Sequence, residues 1–394
     1  MTCCEDSSPI AQYTGAARLS VLWVHCCHIG YTIGMRMTDN ALDLLHAFLR
    51  PPGRGIWIDS TGGGREIPIL RALYGTMPGE SCDAFNDAWR SSLEGIRQAK
   101  AVVLGIPSDA GAAIVRGCNF GPIGVRRAFL KRFARYPSGV LDLGDVFCVQ
   151  HLIDDEMLSA AQIKAIRRAI YPTRNDALPV SPHAIAYEVI KAVYEMNPQV
   201  RIVMIGGDHG VTWPVIRALV ARHGPEFGVL QIDAHTDTME HRLGVQHCFS
   251  TWAFHTMQLI DPRNLVQVGL RDALRDTEGS RTFGQLQVWI SEIRGREAEM
   301  IARVVEYFRS RGIDRVYVSN DIDGTDESFA PSAGTREPEG LHPDVVGKLI
   351  RALRDNNELI GGDIVEVAPP LSGRDDYQDE PTCLLAAMYL NAIL

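Results

Sequence analysis

The sequence predicts an α/β protein of three layers, with a mostly parallel eight-stranded sheet covered on both faces by helices. Apolar runs of strand length recur along the chain, and segments with helical spacing fall between many of them. Sheets of this kind bind ligands beyond the carboxyl ends of their strands, and clusters of Asp and His follow three of the runs. The strand-like runs are residues 101–106, 140–143, 201–205, 229–232, 265–268, 288–290, 316–319 and 364–367. The helical segments between them are residues 123–133, 159–170, 183–194, 214–223, 301–310 and 343–355.

An N-terminal extension precedes these runs. Residues 1–36 differ in character from the rest, and we expect Met35 or Met37 to be a natural start. Helical spacing covers residues 41–49 and stops at a Pro-Pro-Gly turn, and a second helix is expected over residues 84–100. We therefore divide the chain into residues 1–36 of uncertain role, an extension over 37–99 and a main domain over 100–394.

Composition excludes several classes of protein. The net charge is −9 with no long basic run, so we expect no nucleic-acid partner. No stretch is apolar over about eighteen residues, so we expect no membrane span. The nine cysteines form no CxxC pair, which favours reduced thiols in a cytoplasmic protein over a disulfide framework.

Six potential metal ligands follow three of the apolar runs. Side chains two residues apart in extended chain point the same way, so alternating ligands can converge on one point. Four carboxylates carry too much negative charge for one divalent ion but balance two, and a water bridging two ions would be acidified to hydroxide. The candidates are His209, Asp233, His235, Asp237, Asp321 and Asp323.

Each of these motifs also has an ordinary structural interpretation. Gly-Gly-Asp-His at residues 206–209 is often a strand-to-helix turn in which the Asp caps the helix. The alternating acids near residues 235 and 322 could lie in solvated loops. The occurrence of all three motifs in order, each after an apolar strand, favours the metal-site interpretation.

These motifs resemble the ureohydrolase family, which includes arginase, agmatinase, formimidoylglutamase and guanidine hydrolase. The family pattern Gly-Gly-Asp-His, Asp-Ala-His-x-Asp and Ser-x-Asp-x-Asp is found at residues 206–209, 233–237 and 319–323. The resemblance covers roughly residues 100–394, which would be the catalytic domain with an arginase-like fold. Flanking segments that also match are residues 105–107, 116–117, 121–122, 143–146 and 363–369.

The resemblance implies roles for individual residues. His209 would bind one metal and His235 the other. Asp233, with Asp321 or Asp323, would bridge or complete the two sites. Asp237 would be a ligand that also contacts the attacking hydroxide.

Two further residues would act on the substrate. Glu366 would bind its guanidinium group, and His247 would deliver a proton to the departing nitrogen. His241 and His255 are rivals for the second role, and His247 could also be an ordinary loop histidine. Glu366 has an alternative interpretation as a buried salt-bridge partner.

Several loop residues depart from the family pattern and leave the substrate open. Gly210, Glu327, Arg336 and residues 371–374 replace the usual types, although no metal ligand is affected. The long N-terminal stretch and residues 108–111 resemble the guanidine hydrolase branch. That branch implies a small substrate, namely guanidine, an alkylguanidine or a biguanide such as metformin, and nickel ahead of manganese.

Other functions remain open. The nearest alternative is agmatinase-type hydrolysis of a longer alkylguanidine. A single-metal deacetylase would need fewer ligands, and a non-catalytic partner subunit would tend to lose them. The family likeness implies a trimer or hexamer, and the apolar tail at residues 383–394 reads as a buried or interface helix.

Overall fold

A central sheet of nine strands organises the computed structural model, which describes residues 37–56, 64–75, 82–113, 115–174, 176–271 and 283–394. The expectations for residues 1–36 lie outside this range. The strands are β1 (Leu49–Arg50), β2 (Ala101–Gly105), β3 (Val140–Val146), β4 (Arg201–Ile205), β5 (Gly228–Ile232), β6 (Leu265–Leu270), β7 (Leu286–Trp289), β8 (Arg315–Asp321) and β9 (Glu358–Val365). Their order across the sheet is β1-β3-β2-β4-β9-β8-β5-β6-β7.

The prediction of eight strands was one short. All eight predicted strands are present and pair in parallel, and β1 is added at one edge, antiparallel to β3. Leu49 was expected to end the first helix. It pairs instead with Val146, and Arg50 pairs with Asp145. The last predicted strand also stops early, at Val365, because Glu366 has a positive φ of 61° that extended chain does not allow.

Helices cover both faces of the sheet. They are α1 (Met37–Phe48), α2 (Ile67–Tyr74), α3 (Cys82–Ser92), α4 (Gly121–Phe133), α5 (Ala160–Ile170), α6 (Pro182–Met196), α7 (Thr212–His223), α8 (Trp252–Thr256), α9 (Ile290–Ile293), α10 (Glu297–Ser310), α11 (Pro343–Asn356) and α12 (Pro381–Ile393). Local sequence explains their ends. The α5 helix begins with a capping box formed by Ser159 and Gln162, and Pro occupies the first turn of α4, α6, α11 and α12.

Alternating strand residues divide the interior into two cores. Val102 and Leu104 of β2 pack on the side of α1, α6 and α7, whereas Val103 packs on the side of α4, α11 and α12. The three-layer prediction is therefore confirmed. The apolar tail forms α12, whose residues are largely buried within this second core.

Two further expectations concern membranes and thiols. Among the described residues, every helix falls short of the length and apolar character that crossing a bilayer requires. The described cysteines Cys118, Cys148, Cys248 and Cys383 are free and buried, and the reduced state of the thiols stays a prediction.

Candidate metal centre

The ligand candidates and Glu366 lie at the ends of four strands that are neighbours at the centre of the sheet. In the order β4-β9-β8-β5, the strands lead into His209, Glu366, the pair Asp321 and Asp323, and the loop 233–237. Because parallel strands end at the same edge, the four loops meet there. Sheet topology therefore brings together residues that are far apart in sequence.

Tight packing holds the first of these loops in place. A Cβ atom added to Gly207 would lie 1.7 Å from the carbonyl oxygen of Ser108, so only glycine fits there. The next residue, Asp208, accepts a hydrogen bond from the Gly210 amide and caps a short 3-10 turn that contains His209. The cap interpretation of Asp208 and the ligand interpretation of His209 are therefore compatible.

The first group of ligands surrounds the Nδ1 atom of His209. One carboxylate oxygen each of Asp233, Asp237 and Asp321 lies 3.1 Å from this nitrogen. Nδ1 is buried and has no hydrogen-bond partner among the residues that the structure describes. Ligand atoms at right angles around an ion at about 2.1 Å are separated by about 3 Å, so the spacing fits a divalent metal.

The hydrogen bonds of His209 also assign its tautomer. Its Nε2 atom lies 2.9 Å from Ser319 Oγ, which donates its own hydrogen to Asp363. Nε2 must therefore carry the proton, which leaves a lone pair on Nδ1 facing three carboxylates. Such support of the far ring nitrogen is typical of histidine ligands.

The second group contains Asp233, His235 and Asp323. His235 Nδ1 lies 3.5 Å from Asp233 Oδ1 and 3.2 Å from Asp323 Oδ2. On the other side of the ring, Nε2 lies 3.6 Å from a Glu337 oxygen. Asp233 belongs to both groups, with one oxygen directed to each. This arrangement suits two divalent ions that share one carboxylate.

The pKa values of the ligand candidates reflect the crowding of negative charge at this site. Burial alone would lower the pKa of His209, but Asp233, Asp237 and Asp321 raise it well above its usual range. Burial and the charge of Asp233 raise the pKa of Asp237 to about 6. Burial and the charge of Asp323 raise the pKa of Asp321 well above its usual value. Protons and metal ions therefore compete for the same atoms.

Glu366 lies beside the first group. Its Oε1 atom accepts a hydrogen bond of 2.8 Å from the backbone amide of His209, and its Oε2 atom accepts one of 3.1 Å from the Cys118 thiol. Burial, with the charge of Asp208 next, raises the pKa of Glu366 to about 8. A cationic group placed against this carboxylate would favour its ionised form. The salt-bridge interpretation finds no Lys or Arg among the described contacts of Glu366.

His247 lies in a different set of contacts. Its Nε2 atom is 3.2 Å from Glu156 Oε2, and its ring stacks on Trp213 at 5.6 Å and lies 4.8 Å from the His255 ring. Its Nδ1 atom is buried and finds no hydrogen-bond partner in the described part of the chain. Burial lowers the pKa of His247 despite the nearby charge of Asp154. None of its described contacts is a metal-ligand candidate.

Several supporting residues escaped the sequence analysis. Trp252 donates a hydrogen bond of 2.9 Å to Asp237 Oδ2, and no local pattern indicates this. Gln231 donates one of 2.7 Å to Asp233, and Gln267 supports Gln231 from the next strand. The signal for these two was visible, because each is the one polar residue within its apolar run.

Comparison with known proteins identifies the family. The sequence pattern of the arginase family matches residues 99–394. The chain belongs to the arginase family. Its relatives are ureohydrolases, and the chain is therefore an enzyme of the class that hydrolyses C–N bonds in linear amidines.

Individual arginase-family relatives span most of the chain. Human mitochondrial guanidino acid hydrolase is 28% identical over 317 residues, covering 77% of this chain and 79% of its own length. The agmatinase of Chromobacterium violaceum is 30% identical over 307 residues, covering 75% and 82% respectively. The structure of proclavaminate amidino hydrolase from Streptomyces clavuligerus, 26% identical, superposes with a TM-score of 0.56 over 75% of this chain and 92% of that one.

The donor set of this arginase-family chain fits a pair of divalent ions. Carboxylate and imidazole ligands suit manganese, nickel and zinc alike, so ligand type alone does not select one. Two observations favour bound cations at this site. His209 Nδ1 has no hydrogen-bond partner among the described residues, and Asp233 belongs to both ligand groups.

Proposed function

We propose that the chain is a binuclear-metal hydrolase that cleaves a C–N bond in a small guanidine compound. The products would be urea or a urea derivative and ammonia or an amine. One observation carries the proposal: two ligand groups share Asp233 at the edge of the sheet where four central strands end. Family membership supports the reaction class.

The metal ligands would be His209, Asp237 and Asp321 at one ion, His235 and Asp323 at the other, and Asp233 at both. Two divalent ions, when bound, supply the Lewis acidity that makes a water molecule nucleophilic at neutral pH. Asp237 is held by the Trp252 indole and has a positive φ of 51°, which turns its side chain back toward His209. Strain of this kind is often found at functional sites.

Glu366 would bind the substrate. Guanidinium is planar and cationic, and a carboxylate can hold it through charge-assisted hydrogen bonds. Cys118 and the His209 amide fix the orientation of the carboxylate. A Cβ atom added to Gly334 would lie 2.5 Å from Glu366 Oε2, so only glycine fits beside this carboxylate oxygen.

His247 would supply the proton that the leaving nitrogen needs. An imidazole can accept and pass on a proton, and the His247 Nδ1 atom has no hydrogen-bond partner among the described residues, while Glu156 contacts the opposite nitrogen. The two rival histidines, His241 and His255, instead contact nearby backbone groups. His241 Nδ1 accepts a bond from Gly244 in a tight turn, and His255 Nε2 lies 2.9 Å from the Gln246 carbonyl.

The substrate is proposed to be guanidine, an alkylguanidine or a biguanide such as metformin. Nickel is the favoured metal and manganese the alternative. This choice is supported by the resemblance of the N-terminal stretch and residues 108–111 to the guanidine hydrolase branch. The second candidate, agmatinase-type hydrolysis of a longer alkylguanidine, is favoured by the agmatinases among the relatives. A non-catalytic partner subunit is disfavoured because all six ligand candidates converge.

Domain organisation and assembly are part of the same proposal. Residues 100–394 would form the catalytic domain and residues 37–99 an extension, whose helix α1 packs on α6 and whose strand β1 joins the sheet. We further propose a trimer or hexamer, in line with the family resemblance. A cytoplasmic location stays a prediction from the reduced thiols, and the human relative, by its name, is mitochondrial.

Release of urea, or of an amine and a urea derivative in the case of metformin, tests the function. The full-length protein, stripped of metal and reloaded with nickel or manganese, is assayed on guanidine, metformin, agmatine and arginine. Turnover of guanidine or metformin supports the first candidate, and turnover of agmatine alone supports the second. Asp233→Asn should abolish turnover, whereas Asp326→Asn, in a neighbouring loop, should retain it. The absence of urea, of a urea derivative and of released ammonia or amine from every substrate with either metal would overturn the proposal.

A further inference from the structure

A line of glutamine side chains crosses the edge of the sheet and ends at the shared carboxylate of Asp233. Strand register sets Gln287 of β7 beside Gln267 of β6, and Gln267 beside Gln231 of β5. Gln231 and Gln267 are fully buried. A buried amide costs free energy unless its donors and acceptor are satisfied, so the contacts of these side chains need an explanation.

The side-chain amides of Gln231 and Gln267 both donate to the loop 233–237. Gln231 Nε2 donates to Asp233 Oδ2 at 2.7 Å and to the His235 carbonyl at 3.3 Å. Gln267 Nε2 donates to Gln231 Oε1 at 2.7 Å and to the Thr236 carbonyl at 2.6 Å. Two glutamines therefore hold the loop that carries three ligand candidates, through the Asp233 side chain and through the backbone carbonyls of His235 and Thr236.

The line continues outward to the edge strand. Gln287 Nε2 donates to Gln267 Oε1 at 3.0 Å, and Gln285 Nε2 lies 3.4 Å from the same oxygen. Both donors and the acceptor of Gln231 and of Gln267 thus have partners. Because every donor and acceptor of the two buried amides is hydrogen-bonded, the glutamines form a connected network and not a chance cluster of polar residues.

The charge of Asp233 fixes the direction of every amide. A carboxylate only accepts, so Gln231 must present its NH₂ group to Asp233 and its oxygen to β6. Gln267 must then present its own NH₂ group to that oxygen. Reversing either amide would leave two acceptors facing each other, so one orientation is strongly preferred.

We propose that Gln231, Gln267 and Gln287 form a positioning relay that holds Asp233 in the orientation needed to share two divalent ions. This role rests on the proposed metal centre. Gln231 bonds to Oδ2, the Asp233 oxygen that lies 3.1 Å from His209 Nδ1, and Oδ1 then faces His235. The relay keeps each oxygen directed at its own group, so its loss weakens binding of the pair.

The test measures directly whether two metal ions bind next to each other. Metal-free full-length protein is titrated with Mn²⁺, and electron paramagnetic resonance separates isolated ions from a magnetically coupled pair. Loss of an outer hydrogen-bond partner typically weakens metal binding about 10- to 100-fold. Gln231→Leu should raise the Mn²⁺ concentration for half-formation of the coupled signal by that factor. Gln267→Leu should have a smaller effect and Gln287→Leu the smallest.

Leu230→Ala provides the matched control. Leu230 precedes Gln231 on β5 but packs in the opposite core, so its truncation destabilises the strand without touching the relay. It should leave the Mn²⁺ titration unchanged. An equal shift in Leu230→Ala and Gln231→Leu would mean general destabilisation and would overturn the relay.

The remaining outcomes are also decisive. A wild-type protein that forms no coupled Mn²⁺ pair and also binds fewer than two Ni²⁺ ions per chain would overturn both the metal centre and the relay. If it binds two Ni²⁺ ions but forms no Mn²⁺ pair, the same variants are compared by titration with Ni²⁺. A wild-type pair that forms equally well in the glutamine variants would overturn the relay alone. If Gln231→Leu fails to fold, the test uses Gln267→Leu and Gln287→Leu, the second at a half-buried position. Mn²⁺ titrations identical to wild type in both variants would contradict the proposal.

Discussion

The Cys118 thiol donates a hydrogen bond to Glu366 Oε2 across 3.1 Å, although the two residues are 248 positions apart. Cys118 begins a 3-10 turn ahead of α4, and Glu366 follows the end of β9. The contact favours the ionised carboxylate, opposing the burial that raises the pKa of Glu366 to about 8. A thiol outside the metal ligands thus influences the group proposed to bind substrate.

Replacement of Cys118 should weaken substrate binding. In Cys118→Ala the pKa of Glu366 should rise further, so less of the carboxylate is ionised near neutral pH. We expect KM for a cationic guanidine to rise about fivefold at pH 7, equivalent to about 1 kcal/mol, with kcat nearly unchanged. The difference should shrink by pH 9, where the carboxylate is ionised in both proteins. Steady-state kinetics at the two pH values measure this.

Two control variants test this interpretation. Cys118→Ser keeps a donor and should retain most of the wild-type KM. Cys148→Ala removes another buried thiol, one without a contact to Glu366 among the described hydrogen bonds, and should leave KM unchanged. A pH-independent increase in KM for Cys118→Ala would contradict the proposed effect on ionisation.

Metal content should report which ligand serves which ion. Asp321 faces the His209 group and Asp323 faces the His235 group, whereas Asp233 belongs to both. We expect Asp321→Asn and Asp323→Asn each to retain about one of two ions per chain after desalting, and Asp233→Asn to retain fewer than one. Elemental analysis of protein reloaded with Mn²⁺ gives the number.

Asp326→Asn is the matched control for this series. Asp326 accepts hydrogen bonds from Ser328 and Gly340 and belongs to neither ligand group, so this variant should hold two ions. Retention of two ions by Asp233→Asn would remove the basis for a shared carboxylate.

Much of this site could be predicted from sequence because it depends on local spacing. Ligand candidates such as Asp233 and His235 alternate directly after an apolar run, and strand geometry then turns them the same way. The order in which strands lie side by side is not local. It decides that β4, β9, β8 and β5 are neighbours, and so which carboxylate is shared.

The features that escaped prediction depend on tertiary contacts. The strand β1 has two residues, Leu49 and Arg50, which resemble the end of a helix until β3 is available to pair with them. The glutamines at 231 and 267 are visible as polar breaks in apolar runs, but their pairing follows from the register between β5 and β6. The contact of Cys118 with Glu366 likewise follows from the fold.

A buried ion pair fastens α4 to β3. The Arg126 side chain is fully buried and makes two hydrogen bonds to Asp142, at 2.8 and 3.0 Å, and another to Asp145. Arg126→Met would leave two buried carboxylates without their cation. Breaking a buried pair in this way costs about 3–5 kcal/mol of unfolding free energy, and urea denaturation should show a loss of that size.

The neighbouring arginine offers a matched comparison. Arg127 lies on the same helix and pairs with Asp376, which is half exposed. Arg127→Met should therefore cost less than about 1 kcal/mol. Equal losses for the two substitutions would show that burial of the pair is not what stabilises the junction of α4 and β3.

His223 should give the protein an acid-sensitive element remote from the metals. Its ring is half-buried at the end of α7, meets Tyr194 edge-on, and has Nδ1 3.4 Å from an Arg315 nitrogen. Burial, followed by the charges of Arg222 and Arg315, lowers the pKa of His223 to about 4. The folded state therefore holds this imidazole neutral at a pH where the unfolded chain protonates it.

The sign of the effect follows from proton linkage. Between pH 6.5 and 4 the unfolded chain binds a proton at His223 that the folded protein does not, so the unfolding free energy falls as pH decreases. The full shift corresponds to about 3 kcal/mol, and screening at a half-exposed ring reduces this to about 1–2 kcal/mol. His223→Gln removes the titrating group, so its unfolding free energy should decline less than that of wild type across this window. Urea denaturation of both proteins at pH 7, 5.5 and 4 measures the difference, and parallel curves would mean that His223 titrates alike in the folded and unfolded chains.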